Sequence, residues 1–214
     1  MKSPATTHII SAILLLTSAL SILIASAAPQ FAIAGPTPPP PTTTTTPPSG
    51  SIYALKVPLT DHHGRVFTLD AMRGKTALIT MFYSGCQFVC PRIIEALRKT
   101  ESSLPPNIRN RVPILMVSFD VKHDTPEALK AIASERHLDD AIWTLARSDE
   151  RHTRKLAALL DIQYRELPSG DFNHTSVLIL LDAEGRIVGR TPMIGEADPA
   201  FVKLVAKQMA ATSP

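Results

Sequence analysis

Residues 78–94, LITMFYSGCQFVCPRII, constrain this chain more than any other stretch, because they hold its only two cysteines, Cys86 and Cys90. An apolar, β-branched run over 77–83 ends in Ser84 and Gly85, and Pro91 then opens a pattern of helical period. That order predicts a strand, a turn and a helix N-terminus. On a first helical turn an i, i+4 pair faces one side with Cα atoms about 6 Å apart, so the two sulfurs can close a disulfide or share one metal ion. The unpaired N–H groups and the positive end of the helix dipole favour thiolate over thiol at such a place. Two cysteines are too few to staple a chain of 214 residues, and they read as working thiols. The bland alternative is a buried pair packing as small apolar residues.

What surrounds this corner bounds the architecture. Lys2 and His8 precede an uncharged apolar run over 9–28, the layout of an export signal and also long enough to span a bilayer. Residues 1–34 are therefore expected to be a cleaved signal peptide or an N-terminal membrane anchor. No cysteine lies near residue 30 to carry a lipid. Either way the body, exported to the periplasm or anchored, faces outside the cytoplasm, where thiols must be managed against oxidation. Residues 35–50, GPTPPPPTTTTTPPSG, are a linker that cannot bury a core and favours extended polyproline II, a spacer of roughly 45 Å. The remainder, 51–214, is long enough for a single domain with a core of its own. A net charge of +3 without any Lys/Arg cluster excludes a nucleic-acid surface.

Within the body, 59–69 reads as two short strands around a turn that carries His62 and His63, and a metal-ligand role for this pair is set against ordinary solvated turn positions. The helix after the cysteines carries Ile93, Ile94, Leu97 and Leu104 on one face. A second buried strand covers 112–119, and Thr125 with Pro126 starts the next helix as N-cap and first-turn proline. A strand over 142–146, a helix capped by Ser148 through Leu160, a strand pair over 175–182 and 186–190, and a final helix near 199–210 complete the order. The plan is α/β with a central mixed sheet flanked by helices, compatible with a thioredoxin-like fold. Trp143, Met81 and Met116 fall inside buried patterns and read as core, whereas Tyr83 is placed to shield the thiols. Asp120 and Asp124 follow a buried strand and can orient the site from behind; for Asp124 plain helix-capping and loop chemistry is preferred.

Four stretches, LTDHHGRVFTLDAMRGK, TMFYSGCQFVCP, VSFDVKHDTPEAL and DFNHTSVLILLD, resemble the Sco (SenC) family over most of residues 52–210. Its members are thioredoxin-like copper-binding proteins that take part in assembling the binuclear copper site of cytochrome c oxidase. The specific part is Cys-x-x-x-Cys-Pro joined to a later histidine that opens a strand. The resemblance implies that Cys86, Cys90 and His174 are copper ligands, that copper is the cofactor as Cu(I) or Cu(II), and that the partners are the copper-bearing oxidase subunit and a thiol reductant or another copper chaperone. Gln87, Phe88 and Val89 stand where the family usually has a proline and an acidic residue. Val121 replaces a common proline, and Asn173 a frequent aspartate. These departures remove loop stiffness and negative charge without removing a ligand.

The donor types agree with that reading, since soft thiolates suit Cu(I) and an added imidazole admits Cu(II). A structural zinc site would need a fourth protein ligand, recruited from His63 or His123. The functional expectation is a metallochaperone that delivers copper to the oxidase site or prepares its thiols. The alternative is a thiol-disulfide oxidoreductase in which Cys86 and Cys90 are the redox pair, a chemistry with no need of His174.

Overall fold

The computed structural model describes residues 49–212, all within one compact unit; the leader and nearly all of the proline-rich linker read from the sequence lie outside the described residues. The chain enters through a 3-10 turn, Ile52–Ala54, and forms β1 (Pro58–Asp61) and β2 (Val66–Thr68) as an antiparallel hairpin. Next come β3 (Ala77–Phe82), α1 (Val89–Ser102), β4 (Ile114–Ser118), α2 (Pro126–Glu135), β5 (Trp143–Arg147) and α3 (Glu150–Leu159). A small hairpin of β6 (Tyr164–Glu166) and β7 (Phe172–His174) precedes β8 (Leu178–Leu181), β9 (Ile187–Thr191) and α4 (Pro199–Thr212).

Seven strands form one mixed sheet in the order β2-β1-β5-β4-β3-β8-β9. Its centre, β3 with β4 and β4 with β5, is parallel, and β8 closes onto β3 antiparallel. Every residue of β3 and β4 is buried, as parallel strands covered on both faces require. This is why their sequence runs are continuously apolar instead of alternating. The sheet, the flanking helices and their order are those expected from the sequence.

Helix starts explain much of the local structure. Thr125 accepts a hydrogen bond from the Ala128 N–H at 3.2 Å and Pro126 occupies the first turn, as predicted. For α3 the expected cap is corrected. Asp149 caps through the His152 N–H at 2.9 Å, while Ser148 turns inward and donates to the Pro58 carbonyl at 2.6 Å. Both types cap well, and an inward-facing hydroxyl buried beside β1 takes the backbone acceptor available to it. The β8–β9 turn needs Gly185 twice over, for its φ of +78° and because an added Cβ would lie 2.5 Å from the Tyr53 ring.

Two further expectations change. Helix α1 begins at Val89, so Cys90 lies in its first turn while Cys86 lies in the turn ahead of it. His174 does not open the strand that follows. It ends β7, and β8 starts four residues later at Leu178. The alternation of Tyr164, Arg165 and Glu166 and of Phe172, Asn173 and His174 around Pro168-Ser169-Gly170 was the available signal for this hairpin.

Candidate metal centre

The site begins with an uncapped helix. Phe88, at the N-cap of α1, offers no side-chain acceptor, and the first N–H groups of the helix are left to find another. The Cys86 sulfur fills that role, accepting from the Cys90 N–H at 3.2 Å. A thiol in this position loses its proton easily. The Cys90 thiol donates to it, and the N–H groups of Cys90, Val89 and Phe88 add to that pull against the opposing effect of burial, holding Cys86 far below the ordinary thiol value, at about 4. Cys90 is pushed the other way, first by its hydrogen bond to Cys86 and then by burial. The pair thus holds one proton, with Cys86 as the half-buried thiolate and Cys90 as the buried thiol.

The turn that presents Cys86 is fixed from below by Asp124, which is fully buried. Its carboxylate accepts from the Ser84 N–H at 3.0 Å, and from the hydroxyls of Ser84 and Ser118. The preference for simple capping at Asp124 is therefore overturned: this carboxylate ties the end of β4 to the residue two before Cys86. Asp120 acts locally, accepting from the N–H groups of Lys122 and His123 and pairing with the His123 ring at 2.8 Å.

The third donor arrives from the β6–β7 hairpin. Its aromatic side chains anchor it to the end of the sheet: Phe119 stacks on Tyr164 at 5.0 Å and packs on Phe172 at 5.1 Å, and Tyr83 meets Phe172 at 5.0 Å. The Tyr83 hydroxyl accepts from the Phe172 N–H at 3.4 Å. His174 packs on Phe119 at 4.9 Å and edge-on to Tyr83 at 6.0 Å. A carbonyl can only accept, so the 3.2 Å contact to the Thr175 oxygen makes Nδ1 the protonated nitrogen and leaves Nε2 with the lone pair. The expected shielding role of Tyr83 takes this form, one wall of a cleft also lined by Cys86, Phe88 and His174.

The ligand atoms of Cys86, Cys90 and His174 all lie within 4.8 Å of one another. Two sulfurs and one imidazole nitrogen at that spacing can converge on a soft ion with little movement, which fits copper chemistry. Neither histidine considered for a zinc set joins them. His123 is held by Asp120 with a largely exposed side chain. His63 sits on the β1–β2 turn, beside the start of β5, whereas Cys86 follows the end of β3, parallel to it through β4; the two are at opposite ends of the sheet. Trp143, Met81 and Met116 are buried in the core, as expected.

The mitochondrial protein SCO2 of Saccharomyces cerevisiae is 27% identical over 135 residues, which cover 61% of this chain and 44% of the relative, so the match spans less than half that protein's length. A solved structure from Aquifex aeolicus VF5 is 25% identical with a TM-score of 0.65, covering 73% of this chain and 91% of that one. ScoI of Bradyrhizobium japonicum, solved with copper bound, shares the fold at a TM-score of 0.56 and 23% identity, covering 73% of this chain and 97% of that one. The model of the SCO1/SenC family matches residues 49–209, three quarters of the sequence and the whole of the sheet with its cysteine corner, and the chain belongs to that family.

Proposed function

We propose that this protein binds copper through Cys86, Cys90 and His174 and serves in the assembly of cytochrome c oxidase, delivering the ion to the copper-bearing subunit or preparing that subunit's thiols. The observation that carries the reading is the convergence of two sulfurs and one imidazole within 4.8 Å, beyond the C-terminal ends of β3 and β4. Copper is cargo here. A site with two soft sulfurs, a hydrogen-bonded histidine and an open cleft favours Cu(I) while leaving it reachable by a partner's ligands. Loading displaces the Cys90 proton, because a ligating thiol must be deprotonated. Oxidation of the pair to a disulfide removes two electrons and both donors, so release couples to a thiol-disulfide partner. The copper-bound Bradyrhizobium neighbour and the family membership support the same chemistry. The apolar run at 9–28 and the linker at 35–50 support a body exported from the cytoplasm, released by cleavage or tethered to the membrane.

A second reading, thiol-disulfide oxidoreductase, is favoured by one feature. A low-pKa, half-buried Cys86 beside a buried Cys90 is the arrangement of an attacking and a resolving thiol. His174→Ala separates the two. Under anaerobic Cu(I) loading of the reduced protein, the expected result is loss of stoichiometric copper and of its thiolate charge-transfer absorption, with thiol-disulfide exchange retained. Copper retained at one per chain, with exchange abolished, refutes the copper site as drawn.

A further inference from the structure

A second convergence of donors exists among the described residues, at the opposite end of the sheet. His62, His63 and Asp140 also place their ligand atoms within 4.8 Å of one another. The histidines lie on the β1–β2 turn, and Asp140 lies on the loop entering β5. His62 Nε2 is 3.0 Å from one oxygen of Asp140, and His63 Nε2 is 2.9 Å from the other. The two rings are 4.2 Å apart and tilted by 42°.

We propose that His62, His63 and Asp140 form a separate site for a divalent transition-metal ion, closed by nitrogen and oxygen donors and completed by water. Donors with bonds of 2.0–2.1 Å are about 2.9 Å apart at the right angles of a tetragonal site and about 3.4 Å apart in a tetrahedral one, within about half an ångström of these contacts. Small rotations of two exposed side chains supply the difference. The side chains of His63 and Asp140 are 31% and 58% exposed, which leaves a face open for water ligands, whereas that of His62 is 2% exposed and fixed.

The surroundings of His62 suit a ligand. Its Nδ1 lies 3.2 Å from both the carbonyl oxygen and the amide nitrogen of Leu145. With an ion bound, Nδ1 keeps the proton and donates to the carbonyl, freeing Nε2 as the ligand. Without one, the proton sits on Nε2 facing Asp140, and Nδ1 accepts from the amide. One residue of β5, through its N–H and its C=O, thus serves both tautomers. The turn is held independently of any ion, since Asp61, 3% exposed, accepts from the N–H groups of His63 and Arg65 at 2.9 Å each.

The donor set decides the ion. Two imidazoles and a carboxylate lack the soft sulfur that Cu(I) seeks, and the Irving–Williams order ranks Cu(II) first among divalent ions, ahead of Zn(II). The molecule thereby offers a sulfur-rich donor set at one end of the sheet and a nitrogen–oxygen set at the other. This site stands whether or not the thiol site takes copper.

The test uses the full-length chain with Cys86→Ser, Cys90→Ser and His174→Ala, which removes the thiol site. On titration with Cu(II), one ion per chain is expected, with an electron paramagnetic resonance spectrum showing coupling to two imidazole nitrogens. His63→Ala and Asp140→Asn, both at exposed positions, are added to that background one at a time. Each is expected to weaken Cu(II) by at least about tenfold, the lower limit for losing even an outer partner of a ligand, and His63→Ala to remove one nitrogen coupling. No Cu(II) retained by the starting variant, or affinity and couplings unchanged in both derivatives, overturns the assignment. His123→Ala, which alters a surface His–Asp pair elsewhere, is the control and leaves the signal intact.

Discussion

Replacing Asp124 by alanine tests how the cysteine corner is held. The side chain is fully buried and accepts from one backbone amide and two hydroxyls. The hydroxyls can rotate toward other acceptors, and the loss of each costs about 1 kcal/mol. The Ser84 amide cannot turn, and stranding it without a partner costs about 1–3 kcal/mol more. The sum is about 3–5 kcal/mol. At about 2–4 °C per kcal/mol for a domain of this size, the melting temperature should fall by roughly 6–20 °C. Asp124→Asn keeps a carbonyl that can accept from the amide, and should lose about half as much. The assay is urea denaturation of the reduced, metal-free protein followed by circular dichroism, with hydrogen exchange at the Ser84 amide as the local readout. A loss below about 1 kcal/mol in the alanine variant, with the Ser84 amide still protected, would refute the account of Asp124 as the tie between β4 and the cysteine turn.

The thiol pair and the hairpin give two further tests. A folded-state pKa lowered to about 4 means that the Cys86 thiolate is fully formed above that value and lost only as pH falls through it. In metal-free reduced protein, alkylation by iodoacetamide should therefore select Cys86 and keep a nearly constant rate from about pH 8 down to about pH 6; an ordinary thiol slows about tenfold per unit there, and that slope would contradict the hydrogen-bonded thiolate. Phe119→Ala removes a buried ring that touches Tyr83, Tyr164, Phe172 and His174. It should cost about 3–4 kcal/mol in denaturant titration and reduce copper retention along with it; unchanged retention would mean that the aromatic cluster does not position His174.

The parallel centre of the sheet was legible in the sequence because strands buried on both faces must be continuously apolar, and β3 and β4 are. The corner at Cys86 and Cys90 was legible because a strand, a Ser-Gly turn and a proline-opened helix leave the chain few other ways to go. Less legible were features that depend on which acceptor a side chain meets. Ser148 and Asp149 are both good caps by type, and only the position of the Pro58 carbonyl sends the serine inward. Asp124 looked like a loop residue until its oxygens were found on Ser84, 40 positions earlier in the chain. The short strands β6 and β7, three residues each, carry too little periodicity to announce themselves.

Sequence alone therefore determined the class of fold, the two thiols and the kind of ion they could hold, since these follow from local pattern and from the softness of sulfur. The family resemblance supplied His174 by motif, but its approach to the sulfurs depends on a hairpin whose aromatics on β6 and β7 pack against Tyr83 and Phe119, the residues that directly follow β3 and β4. The likeness between the two ends of the sheet, one with Cys86, Cys90 and His174 and the other with His62, His63 and Asp140, could come only from the tertiary structure. Residues 62 and 140 are brought together by the register of β1 on β5, and residues 90 and 174 by the aromatic packing of the β6–β7 hairpin; no local stretch of sequence encodes either long-range arrangement.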